Sequence, residues 1–150
     1  MTPDVRTPTR RAVTVLASIN DDSDVSWRAV DYAVGLVQRQ PGPVRVIFVH
    51  VVPKAGGVNV YPDLYAAMVD AQDDCVRTVR SRLTAELQPT PIEWDYRCRT
   101  GSRSLELRRV AEEVEADLLV IAGETKRGWR SLFSTAALLR RAHFPVVFVS

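Results

Sequence analysis

The sequence predicts an α/β fold in which a five-stranded parallel sheet is sandwiched by four helices. Three observations lead there. Five runs of strand length are rich in β-branched and aliphatic residues, four stretches between them carry apolar residues every three or four positions, and Gly, Pro and Ser/Asp clusters stand at the joints. The resulting βαβαβαβαβ order, with strands apolar enough to be covered on both faces, calls for one doubly wound sheet with right-handed crossovers.

The first strand is "AVTVLASI", Ala12 to Ile19. "NDDSD" follows, offering Ser23 or Asp24 as N-cap of a helix over 25–40 whose stripe is Ala29, Val30, Ala33, Leu36 and Val37. "QPGP" stops that helix, and "VRVIFVHVV", Val44 to Val52, is a second buried strand. His50 lies inside it with no second His or carboxylate placed to join it, so it reads as a core histidine with a satisfied ring. Pro53 to Pro62, with Gly56 and Gly57, is longer than most connections and predicts a lid or interaction loop. A long helix follows from Asp63 to Leu87, its stripe running Leu64, Met68, Ala71, Cys75, Val79, Leu83 and Leu87. "IEWDYRCR", Ile92 to Arg99, alternates strictly, as a half-exposed strand near a sheet edge does. Gly101 ends it, and Ser102 or Ser104 caps a helix to about Ala116 with Leu107, Val110, Ala111 and Val114 inside. "DLLVIAG" from Asp117 is the fourth strand, a helix is expected from Ser131 to Ala142, and Pro145 to Val149 is the fifth strand.

At 150 residues the chain is read as a disordered arm over 1–11 and one domain over 12–150. Hydrophobic content of 46% and charged content of 25% are those of a soluble globular chain. No apolar run approaches the roughly 20 residues of a membrane span, and "MTPDVRTPTRR" has no signal-peptide core, so a cytoplasmic protein without a membrane partner is expected. A net charge of +2 argues against nucleic acid as the main partner. The charge is uneven, however: five cations and no acid follow Glu124, on a body that is net −3. Cys75 and Cys98 are too far apart for a metal or redox motif and read as reduced core thiols.

In such sheets ligands bind beyond the carboxyl ends of the strands, where the strand order reverses. The expected rim comprises residues 20–24, 53–57, 99–102 and 123–130. Catalytic patterns are missing there: no HExxH, GxSxG or GxGxxG occurs, and no serine is placed with His143 as a nucleophile–base pair. Gly123 to Gly128 has the GxxxxG spacing, but Trp129 and Arg130 stand where a P-loop needs Lys and Ser or Thr. No enzyme is expected. Backbone N–H groups from Gly123, the cations Lys126, Arg127 and Arg130, and the hydroxyls of Ser134 and Thr135 make a candidate phosphate or sulfate site. An ordinary strand-to-helix loop with an exposed basic face is the alternative, favoured by bulky Trp129, Leu132 and Phe133.

Four stretches in order resemble the universal stress protein family, from about Arg11 to Ser150. "DDSDVSWRA", Asp21 to Ala29, is similar to its DGSxxSxxA, and "VIFVHVV", Val46 to Val52, to its second strand ending in LHVV. "RTGSRSLELRRVAEEVEADLLVIAG", Arg99 to Gly123, resembles VxGxPxxxIxxxAxExxADLIVxG, and "ALLRRAHFPVVFV", Ala137 to Val149, resembles the xVLRHAPCPVLVV ending. The resemblance implies a Rossmann-like fold of the adenine-nucleotide alpha-hydrolase type and frequent homodimers joined through the last strand. It also implies two branches, one of which binds ATP through G-x-x-G-(x)9-G-[S/T] after the fourth strand, with an Asp after the first. Asp21 matches that aspartate, with Asp22 in place of the Gly. The glycines do not match: the final Gly-Ser falls on Leu132 and Phe133, and the loop is three or four residues short. The resemblance therefore implies the branch without ATP. The expected protein is a homodimer through Pro145–Val149 that binds a further, unknown protein partner and holds no cofactor. The alternative keeps ATP or another adenine nucleotide at Asp21, Gly123, Lys126, Arg127, Arg130, Ser134 and Thr135.

Overall fold

The computed structural model describes residues 11–54, 61–123 and 144–149. Their five strands, β1 (Val13–Ile19), β2 (Val44–Val52), β3 (Glu93–Thr100), β4 (Leu118–Ala122) and β5 (Val146–Val149), form one parallel sheet in the order β3-β2-β1-β4-β5. Three helices are described, α1 (Asp24–Arg39), α2 (Pro62–Leu87) and α3 (Arg103–Glu113). The fourth expected helix, Ser131 to Ala142, lies outside the described residues, as do the arm up to residue 10 and the Gly56–Gly57 stretch.

Alternation along the strands divides the core between two faces. On one, Val15, Ala17 and Ile19 of β1, Val46 and Phe48 of β2 and Val120 of β4 are buried with Trp27, Val30 and Ala33 of α1 and Val79, Leu83 and Leu87 of α2. On the other, Leu16, Ile47, Val49, Leu119 and Ile121 are buried with Leu107, Val110 and Ala111 of α3. This two-sided burial explains why β1, β2 and β4 read as nearly unbroken apolar runs.

The long helix departs from its predicted stripe. Only Val79, Leu83 and Leu87 are buried, whereas Leu64 is 54% and Met68 39% exposed and Ala71 is also exposed. The reason lies in lengths. The side-chain amide of Gln72 donates to the carbonyl of Pro53 at 3.2 Å, which puts residue 72 level with the end of β2. The turns before it, about 15 Å of helix at 1.5 Å per residue, therefore continue past the strand ends. Helical spacing defines a face but does not supply anything to bury it against.

β3 lies at the sheet edge, as its alternation predicts. Its Trp94 packs edge-on against Phe48, with ring centroids 6.2 Å apart. Cys98 is exposed, not a core thiol, and Cys75 is half-buried. As the outermost strand, β3 has a neighbour on one side only, and of its side chains only Trp94 and Tyr96 reach the α1–α2 face of the core.

Candidate functional site

The strand order reverses between β1 and β4, so the carboxyl ends of these two strands and the start of α3 frame the candidate site. The loop leaving β1 is braced from several sides. Ser23 is the N-cap of α1, its hydroxyl accepting from the Ser26 N–H at 3.3 Å. Ser26, 3% exposed, accepts from the backbone N–H groups of Asn20 and Asp21, each at 3.3 Å, and donates to Asp21 Oδ1 at 2.9 Å. The same Oδ1 accepts from the Ser23 N–H at 3.0 Å. Burial pushes the Asp21 carboxyl upward, but these bonds from Ser23 and Ser26, with His50 nearby, outweigh it and leave the pKa below 3.8. Asp21 is therefore an anion at neutral pH.

His50 holds the loop from beneath. Its Nε2 lies 2.9 Å from the Asn20 carbonyl and its Nδ1 2.9 Å from the Tyr96 hydroxyl. A carbonyl can only accept, so Nε2 carries the proton and Nδ1 accepts from the phenol, whose own pKa burial pushes up. Both ring nitrogens are satisfied in a neutral ring, and the imidazole is a brace, as its setting in the strand predicts.

Asp22, at the position of the motif's glycine, pairs with Arg82 of α2 at 2.9 Å. The Arg82 guanidinium also bonds Glu86 at 3.0 Å and stacks over the Trp27 ring, 3.8 Å from its centroid. Trp27 Nε1 donates to Glu86 at 2.7 Å, which closes a clamp between α1, α2 and the loop. Glu115 is the one non-glycine residue with positive φ among the described residues, so the backbone at Asp22 has no need of glycine.

The opposite wall begins at Gly101, whose φ of +144° suits only glycine; an added Cβ there would meet Glu106 at 3.3 Å. Its N–H donates to the Val52 carbonyl at 2.9 Å, which ties the start of α3 to the end of β2. Ser102 is the N-cap but its side chain makes no capping bond. Arg103 follows with its Nε and Nη2 atoms buried and without a hydrogen-bond partner among the described residues. Burial pushes its pKa down, and the nearby Asp21 carboxylate acts against that shift. Ser18 of β1, 1% exposed, likewise has a hydroxyl with no partner.

Of the predicted site residues, the structure places Asp21 and Gly123 at the two strand ends, on either side of the reversal point. The N–H of Gly123 donates to the Val149 carbonyl at 3.1 Å and so belongs to the β4–β5 ladder. Lys126, Arg127, Arg130, Ser134 and Thr135 lie outside the described residues. Sequence reasoning missed Ser26 and Arg103. Ser26 was visible as the second serine of the DGSxxSxxA-like stretch. Arg103 stands where the VxGxP-like stretch calls for Pro, one residue beyond the expected rim. No group of His, Cys, Asp and Glu among the described residues could hold a metal ion. At the far, amino end of the sheet an open cavity of about 450 Å³ is lined by Val37, Pro43 and Ile92, with Gln38 and Glu93 its only polar side chains. It brings no reactive groups together.

A family model for the universal stress protein family matches residues 15–150. The chain belongs to that family. Comparison with curated proteins found no match. Among solved structures, a universal stress protein family member from Burkholderia pseudomallei is 24% identical, with a TM-score of 0.68, over 91% of this chain and 94% of that one. The universal stress protein of Lactobacillus plantarum is 19% identical, with a TM-score of 0.70, over 93% and 99%. A universal stress protein in complex with cAMP is 27% identical, with a TM-score of 0.58, over 92% and 96%. The first two establish the fold: α/β, with one parallel five-stranded sheet. This family member has an ionised Asp21 tied into its own loop and, at the start of α3, an Arg103 whose Nε and Nη2 have no hydrogen-bond partner among the described residues.

Proposed function

We infer that this family member acts as a self-associating module of the cytoplasm that binds a protein partner and does not hold ATP tightly. One observation carries the reading: β5 is a sheet edge of sequence VVFV whose Phe148 is 44% exposed. An apolar strand with a sheet neighbour on one side only among the described residues is a template for pairing, and a second copy would cover it. No described helix is long and apolar enough to cross a membrane, which is in keeping with this reading. The short loop without the ATP motif's glycines supports the absence of tight ATP binding. Size-exclusion chromatography with light scattering should return a dimer at micromolar concentration, and Phe148→Glu a monomer. A clean monomer for the unaltered chain sinks the proposal.

A second reading, an anion or adenine nucleotide at the rim, is favoured by the ionised Asp21 at the reversal point and by the relative solved with cAMP. Asp21 would take a ribose or base donor, and Lys126, Arg127 and Arg130 would supply charge in place of backbone contacts. Calorimetry with ATP, ADP, AMP and cAMP decides it. Dissociation constants all weaker than about 1 mM, where the binding free energy is only about −4 kcal/mol, end this reading.

A further inference from the structure

Arg103 is placed against every rule for a stabilising residue. It is the first residue of α3, at the helix end where the dipole disfavours a cation. Two of its guanidinium nitrogens are buried without acceptors among the described residues, an arrangement that costs free energy and needs an explanation. Proline, which suits a first helical position, is what the similar motif carries there. The nearby first-turn acid, Glu106, does not relieve it: that carboxylate pairs with Arg109 at 2.7 Å. Asp21 is near enough to act through its field, but it makes no hydrogen bond to Arg103.

A second orphan lies on the same side of the sheet. Ser18 is two residues after Leu16, which packs against α3, so its side chain points to that face, one residue before β1 ends. Ser18 Oγ, Arg103 Nε and Arg103 Nη2 are the only buried side-chain polar atoms without partners among the described residues. The start of α3 adds first-turn N–H groups that Ser102 leaves uncapped. A hydroxyl, a guanidinium fork and a helix N-terminus are donors of one kind, and a tetrahedral oxyanion is what they have in common.

We propose that Arg103 and Ser18 form an oxyanion subsite on the α3 side of the rim, which takes a phosphate group, free or carried by a nucleotide. It deepens the second reading above and rests on it for the idea that the rim takes an anion, but it relies on no residue of the loop after β4. Bound phosphate would neutralise the guanidinium and satisfy Nε and Nη2, as the described residues alone do not.

The test uses the full chain, with inorganic phosphate and AMP titrated separately at constant ionic strength by calorimetry and by thermal melting. Both ligands should bind the unaltered chain, and Arg103→Met should weaken phosphate by about 10- to 100-fold, the scale of a hydrogen bond to a charged group. Arg103→Lys should keep part of the affinity, and Ser18→Ala should lose up to about tenfold. Without phosphate, Arg103→Met should melt no lower than the unaltered chain, whereas a purely structural Arg103 would make it melt lower. Equal phosphate binding by Arg103→Met, or none by the unaltered chain, overturns the proposal. If AMP binding survives Arg103→Met but is lost in Asp21→Asn, the rim reading stands and this subsite falls. If phosphate binding depends on Arg103 and AMP binds no better than phosphate, the subsite stands and the nucleotide reading falls.

Discussion

Leu83→Ala and Leu64→Ala truncate the same side chain on the same predicted stripe of one helix, yet they should differ in cost by several kcal/mol. Leu83 is 0% exposed and lies in the core cluster with Val79 and Leu87, so its loss removes burial and leaves a cavity worth about 2–5 kcal/mol. Leu64 is 54% exposed, on the turns of α2 that precede Gln72 and continue past the sheet, and its truncation should stay within about 0.5 kcal/mol. For a chain of this length about 2–4 °C accompanies each kcal/mol, so Leu83→Ala should melt roughly 5–15 °C lower and Leu64→Ala within about 2 °C of the parent. Urea unfolding followed by circular dichroism gives the free energies directly. Protein concentration must be held fixed, since self-association would add to apparent stability. A Leu64→Ala loss comparable to that of Leu83→Ala would refute the reasoning, because the early turns of α2 would then be held by packing.

Acid should weaken the fold through His50. Burial lowers its pKa below the ordinary 6.5, although the Asn20 carbonyl and Asp21 act the other way, so the unfolded chain binds a proton that the folded one refuses. Stability then falls as pH drops below about 6.5 and levels off under the folded pKa, and His50→Gln should flatten that part of the curve. An unchanged slope in the variant between about pH 7 and 5 counts against the assignment. Gly101→Ala should lose about 1–3 kcal/mol, because alanine must adopt φ +144° and its Cβ meets Glu106 at 3.3 Å. A melting curve that does not move would show that the turn relaxes without strain.

The strands were legible because burial on both sheet faces writes itself as unbroken apolar runs, and β3 because an edge strand alternates. The N-cap was narrowed to Ser23 or Asp24, and geometry chose Ser23, whose hydroxyl reaches the Ser26 N–H. His50 was legible from the lack of partners that could make it a ligand. The stripe of α2 misled because a 26-residue helix outruns the strands it crosses, and periodicity is silent about the length of a neighbour. Cys98 misled for a related reason: alternation in β3 marks a side without showing how far cover extends along it. Asp21 was found through its likeness to a motif, but its bonds to Ser23 and Ser26 were not, since they depend on how the chain turns. Arg103 was invisible because a charged residue beside a helix start reads as solvated, and only packing shows its nitrogens to be enclosed.

The loop from Asn20 to Asp24 has no glycine, and it is fixed by the Asn20 carbonyl on His50, two N–H groups on Ser26, the Asp21 carboxylate on the Ser23 N–H, and Asp22 on Arg82. Fixing a backbone residue forfeits about 1–2 kcal/mol of conformational entropy, and here that loss falls on folding and not on association. A partner or ligand meeting this wall finds it already in shape, so little of the contact energy is consumed in ordering it. Ser26, His50 and Arg82 hold this wall in shape, and through it they would govern the affinity of anything that bound there without touching it.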